Sequence, residues 1–307
     1  MASPVTERRR SRMQELLTQT EIVTFGKCEK RWEHRYVSWL TPFVESMALS
    51  MGSAFHEGLD AGNPEAAVDY LDKQDPAWGQ WEDGKNRVNK AIAHTMVSAA
   101  LSQWQSWPDK SEFQFQLGLP KPGTGNVSKK HRLSGVWDGV WEGSHPRFPG
   151  EVVLGEWKTA SIVNNDYMQR LDIDFQVSAY LWVASKLYGK PVTKMVYRVV
   201  KKPTIRQRKN ETEEEYIDRL RQDYEERPEH YLFETVVERT EEQLDEWHKQ
   251  AWAVHSRMLQ IKRGDVPAIK NTQACLSRGR CPYFDLCVGA VTEDAFKRLK
   301  TKHREIN

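Results

Sequence analysis

The sequence predicts an α/β protein with a mixed central sheet, flanked by helices, between a helical N-terminal part and a cysteine-containing C-terminal part. Three observations support this. The 307 residues suffice for one large domain or two small ones. Hydrophobic residues make up 39% and charged residues 29%, which is typical of a globular chain. From residue 111 to 200, three strand patterns, a helical pattern and a further strand pattern follow one another, which indicates a mixed sheet.

The N-terminal elements are predicted from caps and from helical spacing. Residues 1–17 are basic and polar, and we expect a flexible arm. Residues 18–110 form the helical region. Thr18 can cap a first helix that carries Phe25, Cys28 and Trp32 at helical spacing. Two further helices are predicted over 51–61 and 84–107.

The core is predicted over residues 111–238. Phe113, Phe115 and Leu117 alternate in the first strand, 111–119, and a turn-rich tip at 120–130 leads to strands 131–141 and 150–158. A helix over 172–188, a strand over 194–200, a polar helix over 213–226 and a strand over 231–237 follow. The C-terminal part, 239–307, begins with a long helix over 240–263 and contains three of the four cysteines.

The bulk properties restrict the classes of function. The net charge of +2 does not indicate a nucleic-acid partner, so a basic surface would have to be local. Two such clusters are residues 8–12 and 201–209. No apolar stretch is long enough to cross a membrane and no secretory signal is recognisable, so we expect a cytoplasmic protein without a membrane partner.

Two acids and a lysine are the chemically most informative residues. Asp138 lies in one predicted strand, and Glu156 and Lys158 end the next, with Trp157 between them. Because alternate side chains of a strand share a face, Glu156 and Lys158 should point the same way. Two carboxylates with a nearby cation suit a divalent metal and phosphodiester cleavage. The alternative is a solvated ion-pair ladder, which the flanking apolar residues disfavour.

Three other residues can join this site. His56 lies on a predicted helix before the strands, and histidine is a common metal ligand, although a lone histidine is more often structural. Gln176 and Tyr180 lie four apart on one helix face, where both can hydrogen-bond a phosphate or orient a catalytic group. An ordinary amphipathic helix is the alternative.

The cysteines form a pattern of their own. Cys275, Cys281 and Cys287 are each separated by five residues, and Cys28 lies near the opposite end of the chain. Four thiolates can hold a [4Fe–4S] cluster or zinc. The spacing differs from the paired C-x₂-C of zinc ribbons, which favours iron and sulfur. Such a site would close a very long loop and stabilise the fold.

Together these residues resemble the RecB-type PD-(D/E)xK nucleases, and within them the iron–sulfur branch that includes the AddB nuclease domain and CRISPR-associated adaptation exonucleases. The resemblance spans about Thr18 to Cys287, with Trp137 in the place of the motif proline. It implies a restriction-endonuclease-like core in which metal (Mg²⁺ or Mn²⁺) is bound by His56, Asp138, Glu156 and the backbone carbonyl of Trp157. It also implies catalytic roles for Asp138, Glu156, Lys158, Gln176 and Tyr180, and a structural [4Fe–4S] cluster on Cys28, Cys275, Cys281 and Cys287.

The function expected from this resemblance is metal-dependent exonucleolytic cleavage of DNA, as single strands or duplex ends, in recombination, repair or phage DNA processing. Related nucleases form rings or larger complexes, so a helicase or recombinase partner and a homo-oligomer are both compatible with the chain. A non-catalytic nucleic-acid-binding protein that keeps the fold and the cluster is the alternative, as is a zinc-stabilised module without a nuclease role.

Overall fold

The computed structural model describes residues 14–43, 47–74, 83–277, 279–300 and 302–303, with the side chains of 74 and 83–86 left aside. The first thirteen residues of the predicted basic arm lie outside this range. Residues 15–17, also assigned to the arm, instead belong to a strand of the sheet. No helix in the described part of the chain is both long and apolar enough to cross a membrane.

Six of the described strands form one mixed sheet in the order β1 (Glu15–Thr18), β4 (Val127–Glu142), β5 (Val152–Ala160), β6 (Lys194–Lys201), β7 (Leu232–Glu238), with β3 (Lys110–Pro120) also paired to β4. The pairs β1–β4 and β5–β6 are parallel and the other pairs antiparallel. This confirms the predicted mixed sheet. The sheet contains one strand that was not predicted, β1, whose four residues are too few for a recognisable alternation.

Strand β4 changes partners along its length. Its residues 131–134 pair with β1, and residues 139–142 pair with β5, while β3 runs antiparallel to nearly all of it. Residues 135–138 therefore lie between the end of one ladder and the start of the next. Asp138 is the last residue of this stretch.

Two hydrophobic clusters pack against the sheet. The first involves α1 (Gln19–Lys27), α7 (Phe175–Tyr188) and α10 (Glu241–Arg263). The second involves α3 (Met47–Asp60), α4 (Pro64–Gln74), α5 (Asp83–Gln103) and α8 (Glu213–Glu226). Trp137 belongs to the first cluster, while Trp141 and Trp157 belong to the second. The sheet is thus covered by helices on both faces.

The single helix suggested after Thr18 is interrupted. Thr18 caps α1 by accepting a hydrogen bond from the backbone N–H of Glu21. Cys28 then adopts an extended backbone (φ −167°), and α2 (Glu29–Trp32) and a π-helical turn (Glu33–Val37) follow. The periodicity indicated helix but could not show this break, at which one of the four cysteines lies.

Two other boundaries have local causes. Helix α5 ends at Gln103, before the predicted Trp107, and Trp107 itself disfavours helical backbone because it precedes Pro108. The predicted helix 172–188 begins as a 3₁₀ turn, Arg170–Ile173, and α7 starts only at Phe175 because the side chain of Asp174 caps it.

In the described part of the chain the remaining α-helices are α6 (Asn165–Gln169), α9 (Pro228–Tyr231) and α11 (Phe284–Cys287). A two-residue pair, β2 (Leu40–Thr41) with β8 (Lys297–Arg298), brings the end of the chain back to its N-terminal region. The side chain of buried Glu21 there pairs with Lys302 and His303, at 2.9 and 3.2 Å.

Candidate active site

Five elements bring polar side chains to the place where β4 changes partners. Helix α3 carries His56, β3 carries Glu112, β4 carries Asp138, β5 carries Glu156 and Lys158, and α7 carries Gln176 and Tyr180. The sequence predicted all of these except Glu112. The structure therefore assembles, from separate parts of the chain, residues that the sequence could relate only by type.

His56, Glu112 and Asp138 form a group of three ligand atoms that all lie within 4.8 Å of one another. Nδ1 of His56 lies 3.7 Å from a Glu112 oxygen and 3.6 Å from a second carboxylate oxygen, that of Asp138. Burial opposes protonation of this histidine, but the two carboxylates prevail and raise the pKa of His56. One imidazole and two carboxylates are a suitable donor set for a divalent cation.

Glu112 reaches this group through an unusual backbone. Its φ is +44°, which is uncommon for a residue with a side chain. Ser111 pairs with Gly139 and Phe113 with Trp137, so Glu112 lies opposite Asp138. Sequence reasoning missed Glu112 because the pattern Ser-Glu-Phe looks like any solvent-facing strand position, and only the β3–β4 register places it here.

Asp138 is fixed by the backbone of β5. Its Oδ2 accepts a hydrogen bond of 2.6 Å from the backbone N–H of Trp157. Asp138 precedes Gly139, the residue at which the β4–β5 ladder begins, so the carboxylate takes up a backbone N–H next to the ladder. The indole of Trp157 points to the opposite face, against Trp104 and Trp141. Trp157 therefore positions the acid through its backbone.

Glu156 and Lys158 do point the same way, as strand alternation predicts. The Lys158 ammonium pairs with Oε1 of Glu156, which also accepts a 2.7 Å hydrogen bond from Nε2 of Gln176. Oε2 of Glu156 is buried and has no hydrogen-bond partner within the described chain. A buried carboxylate oxygen without a donor is costly, and a cation would relieve this cost.

The electrostatics of this pair follow from burial and proximity. Burial, together with the charge of Asp138, raises the pKa of Glu156 above its ordinary value. Burial alone would lower the pKa of Lys158, but the adjacent Glu156 and Asp138 raise it above its ordinary value. Burial and the charge of Glu156 likewise raise the pKa of Tyr180, which packs edge-on against Phe115. The charge of Asp138 thus opposes ionisation of Glu156, and a bound cation would relieve this repulsion.

Comparison with known proteins identifies the family. A model of the PD-(D/E)XK nuclease superfamily matches residues 16–288. The chain belongs to this superfamily. The matched range contains Asp138, Glu156 and Lys158, the residues that the sequence pattern singled out.

The structural comparison agrees on the fold. The superfamily chain resembles the crystal structure of a "Putative exonuclease" from Eubacterium rectale, with a TM-score of 0.55, 12% sequence identity, and coverage of 95% of this chain and 94% of that one. No curated protein matches it by sequence. At this identity the likeness concerns the fold alone.

A cleft of about 470 Å³ opens beside the three-ligand group of this superfamily member. We refer to it as the site cleft. Its lining includes His56, Glu112 and Asp138 together with Leu59, Asp60, Leu101, Trp107 and Pro108. A substrate can therefore approach the acids from this side.

The four cysteines of the nuclease-superfamily chain lie at a second place. The backbone N–H of Asn271 donates to the sulfur of Cys28 over 3.4 Å, which links the N-terminal cysteine to the segment before Cys275. Burial raises the pKa of the Cys287 thiol, the charge of Lys270 opposes this, and Cys281, Cys28 and Cys275 add to the rise. All four are half-buried and free.

Of the two predicted basic clusters, the structure describes only the second. Residues 8–12 lie outside the described residues. The second, 201–209, is tied to the body of the protein: Lys202 is within 3.5 Å of the Ala48 carbonyl, and Arg219 donates to the carbonyl of Arg206. Burial lowers the pKa of Lys202. These contacts therefore fix the basic segment 201–209 against the body of the protein.

Proposed function

We propose that this chain is a metal-dependent DNA exonuclease that hydrolyses phosphodiester bonds of single strands or duplex ends. The observation that carries the proposal is the convergence of His56, Glu112 and Asp138 on one point, beside the buried Glu156–Lys158 pair. Membership of the nuclease superfamily supports it. The proposed setting is recombination, repair or phage DNA processing, alone or with a helicase or recombinase.

The proposed metal ligands are His56, Asp138 and Glu156, with Glu112 added and the Trp157 carbonyl as a further oxygen. Their donor types fit Mg²⁺ or Mn²⁺, with Mn²⁺ the better match to an imidazole, and the unpartnered Glu156 oxygen supplies a negative atom that a cation would satisfy. When bound, such a metal would lower the pKa of a water and offset charge that develops on the phosphate.

The protein's own residues would hold the catalytic carboxylates in place and offset negative charge on the phosphate. Lys158, held by Glu156, presents an ammonium that can stabilise negative charge on the scissile phosphate. Gln176 fixes the Glu156 carboxylate, and Tyr180 lies on the same helix face one turn further. Asp138 is kept in place by the Trp157 N–H.

We also propose that Cys28, Cys275, Cys281 and Cys287 hold a structural [4Fe–4S] cluster, as in the iron–sulfur branch of the family. Four free, half-buried thiols that interact electrostatically fit a thiolate-bound cluster. Anaerobically purified protein should be brown and contain iron, and Cys281→Ala should lose both, whereas Ser277→Ala in the same segment should not. Colourless protein with stoichiometric zinc would exclude the cluster.

The nuclease proposal is tested with end-labelled linear DNA, single-stranded and duplex, beside the same DNA as a covalently closed circle. Linear substrates should be shortened from an end only when Mg²⁺ or Mn²⁺ is present, and the circle should stay intact. Cutting of the circle would assign endonuclease activity instead. Binding without cleavage by folded, metal-supplied protein would favour the non-catalytic nucleic-acid-binding alternative.

A further inference from the structure

The site cleft contains an aromatic side chain that the proposed hydrolysis does not use. We infer that the cleft binds the unpaired terminal base of the DNA strand, and that this base stacks on Trp107. The inference rests on the proposed function and deepens it, because it assigns the substrate class as strands whose last base is free of its complement.

Trp107 is exposed yet held in place. Trp107 keeps 36% of its surface exposed to solvent. Its ring centroid lies 6.0 Å from that of Trp104 and 6.4 Å from that of Trp157, and the Arg198 guanidinium carbon lies 5.6 Å from it. A ring fixed by three neighbours can stack a base without losing much conformational freedom on binding.

The position of Trp107 relative to the acids is fixed by its neighbour in sequence. A β-carbon on Gly139 would lie 2.8 Å from a ring carbon of Pro108, so the glycine allows Pro108 to lie directly on β4. Gly139 follows Asp138, and Pro108 follows Trp107. The indole and the proposed metal site are thereby anchored at adjoining points of one strand.

The charge of the cleft determines which part of a nucleotide fits. Glu112 and Asp138 would be engaged by the metal, and Asp60 is a further carboxylate in the lining, which disfavours a phosphate in the rest of the cleft. A base is uncharged, has an aromatic face for Trp107, and on adenine, cytosine and guanine carries amino groups that a carboxylate can accept from. In a terminal base pair the Watson–Crick edge is occupied and the inner face is stacked, so a base can enter the cleft only when it is unpaired.

The test uses oligonucleotides that carry 2-aminopurine as the terminal base at either end, since its fluorescence is quenched on stacking. Binding is followed in the Lys158→Ala background with Mg²⁺, and independently by the anisotropy of an internal dye. Quenching at one end should occur with Lys158→Ala alone and with added Trp39→Ala, a tryptophan of similar exposure (38%) outside the cleft. It should be lost with added Trp107→Ala and largely kept with Trp107→Phe.

Kinetics give the second readout. In the otherwise unaltered protein, Trp107→Ala should raise KM for single-stranded ends by on the order of 10-fold, the range that removal of a base-stacking aromatic produces. An abasic terminal nucleotide should abolish the difference between the two proteins. DNA binding with quenching that does not depend on Trp107 would overturn the inference and leave the proposed function intact. Protein that neither binds nor cuts DNA would remove the proposed function, and the inference with it.

Discussion

At the scale of residues, the sequence predicts some contacts of the site better than others. Glu156 and Lys158 are two apart on a strand, so their shared face is predictable from alternation alone. Glu112 is not predictable in this way, because its approach to Asp138 needs both the β3–β4 register and a positive φ. Strained backbone of this kind is often found at functional sites.

Replacing Glu112 tests whether this contact matters for metal. Glu112→Ala should raise the Mn²⁺ concentration needed for half-maximal cleavage by at least about 10-fold, since it removes one oxygen of a small ligand set. The measurement is a titration of single-turnover cleavage with Mn²⁺. Glu57→Ala, an exposed acid next to His56 in sequence, is the matched control and should leave the titration unchanged. An unaltered titration for Glu112→Ala would exclude Glu112 as a ligand.

At the scale of elements, helix α7 connects folding to the site. Asp174 caps it by accepting from the backbone N–H groups of Gln176 and Val177, and Gln176 in turn holds Glu156. The boundaries of the 213–226 helix and the 194–201 strand follow closely from caps and apolar pattern. The helix at 64–74 and strand β1 do not, because their short or polar patterns are indistinguishable from loops.

The cap of α7 should therefore influence activity as well as stability. Asp174→Ala should destabilise the protein by about 1 kcal/mol and also lower cleavage several-fold, because Gln176 lies in the freed first turn. Thr212→Ala removes the equivalent cap of α8, and it should cost similar stability without affecting cleavage. Urea unfolding and cleavage rates compare the two. Equal activity in both variants would contradict a link between the cap and the site.

At the scale of the whole molecule, contacts join the described N-terminal and C-terminal regions of the chain. Buried Glu21 accepts from the indole N–H of Trp32 and pairs with Lys302 and His303, and the cysteines join the same two regions. A shared site of Cys28 and the three late cysteines, as the sequence analysis expects, would bring these two regions together. The buried acid could not be anticipated, since Glu21 occupies an ordinary helix-start position and its basic partners Lys302 and His303 come from the returning C-terminal segment.

The Glu21 cluster predicts a pH dependence of stability. Burial raises the pKa of Glu21, but the contacts with His303 and Lys302 lower it by a larger amount. The resulting pKa is about 2. A depressed carboxyl pKa contributes stability that is present above the ordinary value near 4.5 and is lost as pH falls toward 2. Glu21→Gln should thus lower the free energy of unfolding by on the order of 3 kcal/mol at pH 6.

Near pH 2 the difference between the two proteins should shrink toward zero, since the native carboxyl is then protonated as well. Urea unfolding of both proteins across this range measures it. A Glu21→Gln effect that stays constant from pH 6 to pH 2 would show that the residue acts by packing and not by charge.

The central claim is that the residues gathered around Asp138 form a metal-dependent hydrolytic centre, and single-turnover cleavage of end-labelled DNA by Lys158→Ala tests it most directly. The variant should be slower by about 100-fold or more at saturating Mg²⁺, because it removes the cation that would meet the scissile phosphate. The control variant Lys190→Ala, which replaces an exposed lysine just beyond the end of α7, should cleave at the unaltered rate. Lys158→Ala that folds normally and cleaves as fast as the unsubstituted protein would contradict the account.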